Sequence, residues 1–364
     1  MRPLRAMFFA NDGLGAGHLA RTLAIVRALR RKVKGLEVLL ATTSEADALL
    51  ASERVAAVRW PTPATARASG WSDEARRGLA GRVVRAAIEG ARPDLLVTDT
   101  FPSGPHGELC GLLREIPRRA LVRRSVRAER AGDPALSQGL AEYQLAIVPD
   151  DPTEHRTERL PMPEVRVPPI TLFEAHEAAD RETARARLGL PKEGRFVLVC
   201  SGGGGDADAV AQAERTAEAI ARLPGGAEPV LAVGPLSRRG TLPGLDPHGR
   251  PANGVRQVAE VPLQPLLAAF DGAFAPAGYN LSHELAKAGV PTALFAMSRL
   301  FDDQAGRAAR FEAAGMALAL GALDDAALAS ALEWMKRAPR PSVLAGGAER
   351  AAEALIALVA KGAA

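Results

Sequence analysis

The chain has 364 residues, 47% hydrophobic and 24% charged, the balance of a soluble globular protein long enough for two domains with separate cores. No apolar run approaches the roughly 20 residues that span a bilayer, and residues 1–10 lack a signal peptide's apolar core, so a cytoplasmic location is expected. The net charge of +4 is uneven: residues 1–170 carry 26 Lys plus Arg against 20 Asp plus Glu, and the remainder 20 against 22. Basic clusters at Arg30, Arg31, Lys32 and Lys34, and at Arg118, Arg119, Arg123, Arg124 and Arg127, could meet an anionic acceptor or, peripherally, the inner face of a membrane. Their plainer reading is a solvated basic face. No aromatic residues interleave them and no nucleic-acid module is visible, so nucleic acid is not an expected partner.

Short β-rich apolar runs alternate with helical patterns from end to end, the mark of α/β sheets. The first half predicts strands at 6–9, 37–41, 57–59, 95–98, 120–122 and 145–148. After the first comes a glycine loop with Gly13, Gly15 and Gly17, then a helix with Leu19, Leu23 and Val26 on one face. His18, in that helix's first turn, is placed to accept a proton near neutral pH; capping or a solvated position is the plainer alternative. Asp99 lies just past the strand at 95–98 and could orient an imidazole, bind a ligand hydroxyl, or only cap a turn. Ser103 and Gly104 follow in the loop FPSGPHGEL. Six prolines between 149 and 172 break both helix and sheet patterns and place a domain boundary near residue 170.

The second half predicts strands at 196–199, 229–233, 255–258, 272–275, 292–295 and 316–320. It opens on the same plan: strand FVLVC, a glycine loop (Ser201, Gly202, Gly203, Gly204 and Gly205), then a helix. Missing side chains let a ligand approach the backbone, and the N–H groups at the helix start can receive a phosphate, unless the loop is simply a tight turn. No Lys follows as GxxxxGK(S/T) requires, which disfavours a P-loop, and neither glycine loop has the GxGxxG spacing of the dinucleotide fingerprint.

Further on, AGYNLSHELAKAGVP reads as a strand-to-helix turn. Asn280 or Ser282 is expected to cap a helix with Leu281, Leu285 and Ala288 on one face, Glu284 on its flank and His283 opposite. A carboxylate there can meet a ligand over the carboxyl end of a parallel strand, or merely suit the positive end of the helix dipole. Asp302, Asp303 and Gln304 open the next helix and suit sugar hydroxyls; alone they would read as an N-capping cluster. The last helix, 348–360, could pack on either domain. Cys110 and Cys200, each in an apolar stretch, are expected as buried free thiols. No metal site is expected: the acidic pair is adjacent, and His155, His176 and His248 are scattered. The fold class is therefore α/β, with two doubly wound Rossmann-like domains (1–170 and 171–364) facing a central cleft.

These motifs, over roughly residues 6–320, resemble the two-domain GT-B glycosyltransferases of the type that includes MurG. AGYNLSHELAKAGVP followed by DDQ looks like that family's donor-site signature. The resemblance implies that Glu284 binds the nucleotide ribose and that Asp303 and Gln304 contact the donor sugar. It also implies that Gly278, Tyr279, Asn280 and Ser282 line the diphosphate, with Ser201 and the glycines after it opposite, and that the stretch 258–262, including Val261, covers a uracil base. GLGAGH, with Gly13, Gly15, Gly17 and His18, is similar to the family's glycine loop ending in His. Ser103 and Gly104 are similar to its second, acceptor-side loop. The first loop is poorer in glycine than the family's, and VRVPPITL lacks its phosphate-contacting Arg, so the resemblance speaks to the donor and leaves the acceptor open.

The implied activity is inverting transfer of a sugar from a nucleotide-sugar donor, a UDP-sugar, to an unidentified acceptor hydroxyl. His18 would serve as base, assisted by Asp99, the 1–170 domain would bind the acceptor, and no cofactor or metal would be needed. The alternatives are a sugar-nucleotide hydrolase of the PseG kind, in which His18 activates water, and a non-catalytic nucleotide-sugar-binding partner protein.

Overall fold

The computed structural model describes residues 2–11, 15–149, 159–237, 254–340 and 345–361. It divides into two compact units, Met1–Leu172 with Gly346–Ala364, and Phe173–Ala345. Gly13, His155 and His248 lie outside the described residues.

The first unit holds strands β1 (Arg5–Ala10), β2 (Glu37–Thr42), β3 (Ala56–Arg59), β4 (Leu95–Asp99), β5 (Arg118–Val122), β6 (Leu145–Pro149) and β7 (Glu164–Val167). Among the described residues these form one parallel sheet in the order β3-β2-β1-β4-β5-β6-β7. Central strands such as LLVTD are buried along their whole length, because a parallel sheet covered on both faces reads as continuous apolar sequence. The unit's helices are α1 (Gly17–Lys32), α2 (Asp47–Ser52), α3 (Pro63–Ala68), α4 (Asp73–Ala91) and α5 (Pro134–Ser137). Strand β7 lies in the proline-rich stretch from which no strand was expected. It is an edge strand paired only with β6 among the described residues, and Pro163 and Pro168 flank it rather than interrupt it, which an edge tolerates.

The second unit holds β8 (Arg195–Cys200), β9 (Ala227–Ala232), β10 (Arg256–Val258), β11 (Gly272–Pro276), β12 (Thr292–Phe295) and β13 (Leu318–Leu320), parallel in the order β10-β9-β8-β11-β12-β13. Its helices are α6 (Arg181–Arg187), α7 (Ala207–Arg222), α8 (Tyr279–Lys287), α9 (Gln304–Ala313) and α10 (Asp325–Met335). The final helix, α11 (Gly347–Ala360), returns to the first unit and packs on α1 and on β5, β6 and β7. The expected second domain, 171–364, thus gives up its last helix. Arg31 and Lys32 of α1 pair with Glu349, and Lys32 also reaches Glu353 at 3.0 Å. A Cβ on Gly347 would stand 2.2 Å from the carbonyl oxygen of Pro168, so only glycine admits this approach.

Two expectations about the surface change. Arg31 and Lys32 are tied to α11, and Arg123 is fully buried, donating to the carbonyls of Thr100 and Leu136, so neither basic cluster is simply a solvated face. Cys110 is exposed, while Cys200 is buried as expected. Among the described residues no helix is long and apolar enough to cross a membrane.

Both sheets reverse direction of strand succession once, between β1 and β4 in the first unit and between β8 and β11 in the second. In open sheets of this kind the loops leaving the carboxyl ends of the two strands diverge at the reversal, and the crevice between them is where ligands bind.

Candidate active site

At the reversal of the first unit, β1 leads through the glycine loop into α1, and β4 ends on Asp99. Gly17 opens α1, Ala16 is its N-cap, and Gly15 lies in the bend before it. His18 Nδ1 lies 2.7 Å from Asp99 Oδ1. Arg21, one turn further along α1, grips the same carboxylate with Nε to Oδ2 and Nη2 to Oδ1, both at 2.7 Å. The Thr100 hydroxyl adds a third donor at 2.7 Å from a backbone φ of 67°, a strained conformation for a β-branched residue. Burial opposes a charge on Asp99, but Arg21 and His18 outweigh it and hold the carboxyl well below the usual range. A permanently ionised Asp99 accepting from Nδ1–H places the imidazole's basic lone pair on Nε2, which is the arrangement of a general base.

The two other acceptor-side residues play supporting parts. Ser103 is buried and its hydroxyl donates to the Gln138 carbonyl at 2.8 Å, so it braces the loop rather than facing a ligand. Gly104, at φ 79°, makes room for Glu108 Oε2, which would lie 2.3 Å from a Cβ there.

In the second unit the glycine loop leaves β8. The loop packs closely on the backbone at Gly234: a Cβ on Gly234 would stand 2.5 Å from the carbonyl carbon of Gly203, and one on Gly204 would stand 3.0 Å from the Cα of Gly234. Gly202 and Gly204 have φ near 80°. Ser201 is buried and Gly205 exposed. The start of α7 is not an open phosphate seat: Asp206 caps it, accepting from the N–H groups of Asp208 and Ala209 at 3.0 and 3.3 Å. The open helix start is that of α8. Its N-cap is Gly278, not Asn280 or Ser282; no side chain caps it among the described residues, and its first turn has no acid. An anion there would meet the positive end of the helix with no side-chain cap and no first-turn acid against it.

Glu284 lies one turn into α8 and is 8% exposed. Gln264, from the 3-10 helix Gln264–Ala269, donates to Glu284 Oε2 at 3.2 Å. Among the described residues Glu284 Oε1, Gln264 Oε1 and Ser282 Oγ are buried without hydrogen-bond partners. Burial pushes the Glu284 carboxyl up to about 7, against the pull of Gln264 and Lys287. Val261 is half-buried in the bend just before Gln264. Asn280 is partly buried, whereas Tyr279 and His283 are core residues, with ring centroids 4.6 Å apart and His283 5.2 Å from Phe311. Tyr279 therefore supports the turn instead of lining it.

Arg307 joins the α8 turn to the α9 turn, donating from Nη1 to the Ala277 carbonyl and to Asp302 Oδ1, each at 2.9 Å. Asp303 is the N-cap of α9 and accepts from Gly306 N at 3.0 Å. Gln304 Oε1 accepts from Met297 N at 2.9 Å, and its Nε2 comes within 3.9 Å of where a Cβ on Gly278 would be. Gly278, Glu284, Asp303 and Gln304 are thus brought to one edge of one sheet. The sequence reading passed over Arg21, Gln264 and Arg307. The signal for Arg21 was its spacing of three from His18, which sets both on one helical face; nothing local marked the other two.

No protein-family model matches the chain, and no curated protein matches it in sequence. Solved structures do match over nearly the whole length. Spinosyn forosaminyltransferase SpnP aligns at 16% identity over 98% of this chain and 95% of its own, with a TM-score of 0.61. A calicheamicin glycosyltransferase aligns at 18% over all of both chains, with a TM-score of 0.60. Spinosyn rhamnosyltransferase SpnG complexed with thymidine diphosphate aligns at 18% over 98% and 96%, with a TM-score of 0.58. The two parallel-sheet α/β units of this chain are those of the GT-B glycosyltransferase fold.

Proposed function

We propose that this chain transfers a sugar from a nucleotide-diphosphate donor, a UDP-sugar of the kind used by MurG-like enzymes, to an acceptor hydroxyl with inversion. Glu284 carries the reading: a buried carboxylate with one unpartnered oxygen, beside an uncapped helix start, at the reversal of a parallel sheet. A ribose diol would supply the hydroxyl donors that Glu284 lacks, and the diphosphate would lie over the first N–H groups of α8. Asp303 and Gln304 border the same turn, where the sugar would follow. In the first unit His18 Nε2 would take the proton of the acceptor hydroxyl as its oxygen bonds to the anomeric carbon and the bond from that carbon to the phosphate oxygen breaks. Asp99 would stabilise the resulting imidazolium, and the α8 N–H groups the departing diphosphate, without a protein-held metal.

Thermal unfolding with UDP and TDP, followed by turnover of UDP-sugars, tests this reading. A nucleoside diphosphate at a hundred times its Kd should add about 2.7 kcal/mol of stability. Absence of any response to either nucleotide would remove the donor assignment. SpnG's structure was solved with thymidine diphosphate, so preference for TDP over UDP would correct the base and keep the reaction. Stoichiometric release of free sugar in the absence of acceptor would instead indicate a hydrolase.

A further inference from the structure

Glu284 is not alone in lacking a donor at the reversal of the second sheet. Gln264 Nε2 donates to Glu284 Oε2 at 3.2 Å, and that bond leaves one oxygen over on each side chain. Glu284 Oε1 and Gln264 Oε1 are both buried and, among the described residues, accept from nothing. Each of these oxygens shares a carbon with an atom of the bond between the two residues, so the open acceptors belong to one small patch. The amide oxygen can only accept, and so can the carboxylate when ionised, so neither can satisfy the other. Buried acceptors without donors are costly, and this pair is complete only when a ligand brings two donors to it.

The patch is firmly mounted. Gln264 opens the 3-10 helix Gln264–Ala269, whose Leu266, Leu267 and Ala269 sink into the same core cluster as Leu285 and Ala286, the neighbours of Glu284 on α8. The Pro265 carbonyl accepts from the Ala179 N–H at 2.8 Å, which ties the short helix to the segment before α6. Both side chains therefore stand on backbone rooted in one core, and their spacing is set before any ligand arrives.

Two acceptors in one patch suit two hydroxyls on neighbouring carbons. A ribose offers such a pair at its 2′ and 3′ positions; a deoxyribose offers only one of them. Val261, Pro262 and Leu263, where the base would lie, are half-buried and carry apolar side chains alone. They have no side-chain donor or acceptor with which to tell the 5-methyl group of thymine from the hydrogen of uracil.

We propose that Gln264 and Glu284 read the ribose together, one hydroxyl to each open oxygen, and that the donor site thereby selects ribonucleotides over deoxyribonucleotides through the sugar and not through the base. This selection rests on the transfer reading and sharpens its donor. Thymidine diphosphate, the nucleotide in the SpnG complex, carries a deoxyribose and would leave one buried oxygen unpaired in this chain.

Calorimetric titration of the full chain with UDP, 2′-deoxy-UDP, 3′-deoxy-UDP and 5-methyl-UDP tests the selection. UDP and 5-methyl-UDP should bind within about threefold of each other, and each deoxy analogue at least about tenfold more weakly, because it strands a buried acceptor. Gln264→Met keeps the length of the side chain and removes its polar atoms. It should bring one deoxy analogue to within about threefold of UDP and leave the other at least about tenfold weaker, which names the hydroxyl that Gln264 takes. A merely structural role for Gln264 would instead lower all affinities and keep both ratios. The comparison of the four nucleotides needs wild type alone, so it stands if the variant does not fold. Equal binding of UDP and either deoxy analogue by wild type, rejection of 5-methyl-UDP, or both ratios unchanged in Gln264→Met overturns the selection; in each case nucleotide still binds and the transfer reading survives. No response to UDP or any of the three analogues removes that reading and the selection with it.

Discussion

Glu284→Gln should make the unliganded protein more stable and its binding of nucleotide weaker, with a defined pH dependence. Burial raises the carboxyl from 4.5 to about 7 in the folded chain, so between those values the folded state holds a proton that the unfolded state has released. Stability contributed by the neutral acid is complete below pH 4.5, declines as pH rises through 7, and is flat above. The difference of 2.5 pKa units corresponds to about 3 kcal/mol at pH 8. The amide avoids this loss but adds an N–H donor beside Gln264, which costs about 1 kcal/mol. The net gain is about 2 kcal/mol at pH 8, or roughly 4–8 °C in Tm for a unit of this size, shrinking to nothing or a slight deficit at pH 5. Nucleotide affinity should move the other way, falling about 10–100-fold with the loss of charge-assisted bonds to the ribose. The assay is thermal unfolding of both proteins at pH 5 and pH 8, with and without UDP. A variant less stable than wild type at pH 8, or a difference independent of pH, would show that burial does not penalise this carboxylate.

Three further outcomes are expected. Asp99→Asn leaves Arg21 buried without its counter-charge and should destabilise the first unit by about 3–5 kcal/mol and abolish turnover, while calorimetric nucleotide binding by the second unit is retained. The Asp99 contribution is present above the ordinary carboxylate range and lost only as pH falls through its lowered value, so the two proteins converge in strong acid alone. Gly234→Ala brings a methyl to 2.5 Å from the Gly203 backbone and should cost about 1–3 kcal/mol in urea unfolding, with weakened nucleotide binding as the glycine loop shifts. Ending the chain before Gly346 removes α11 and should leave the first unit protease-sensitive, with the second unit surviving limited proteolysis as a nucleotide-binding fragment.

Strand positions were legible because each central strand is an unbroken apolar run between turn residues, as FVLVC and ALF show. The edge strand β7 was not: EVRV alternates polar and apolar residues, but it is only four residues long and lies between Pro163 and Pro168, which argue against a strand. The turn at Gly278 and the acid at Glu284 stood out locally, and so did His18 and Asp99, which meet only because β1 and β4 are neighbours across 81 residues of sequence separation. What local pattern cannot show is the use of a charge. Arg123 was counted with the basic surface, but its guanidinium is inside, donating to backbone carbonyls. Nothing in the glycine pattern marks Asp206, yet its carboxylate fills the seat that the glycine loop was expected to leave for phosphate. Both depend on where the backbone turns next, which is tertiary information.

The return of α11 to the first unit also fixes an order of events. The chain leaves that unit after Leu172, builds the whole of Phe173–Ala345, and only then supplies the helix that covers β5, β6 and β7. A ribosome therefore releases every residue of the second unit before the helix that packs on β5, β6 and β7 is made. Where domains ordinarily complete from the N-terminus onward, here the first unit is the last to have all of its residues. Until then the stretch of sheet over β5, β6 and β7 lacks the helix that packs on it.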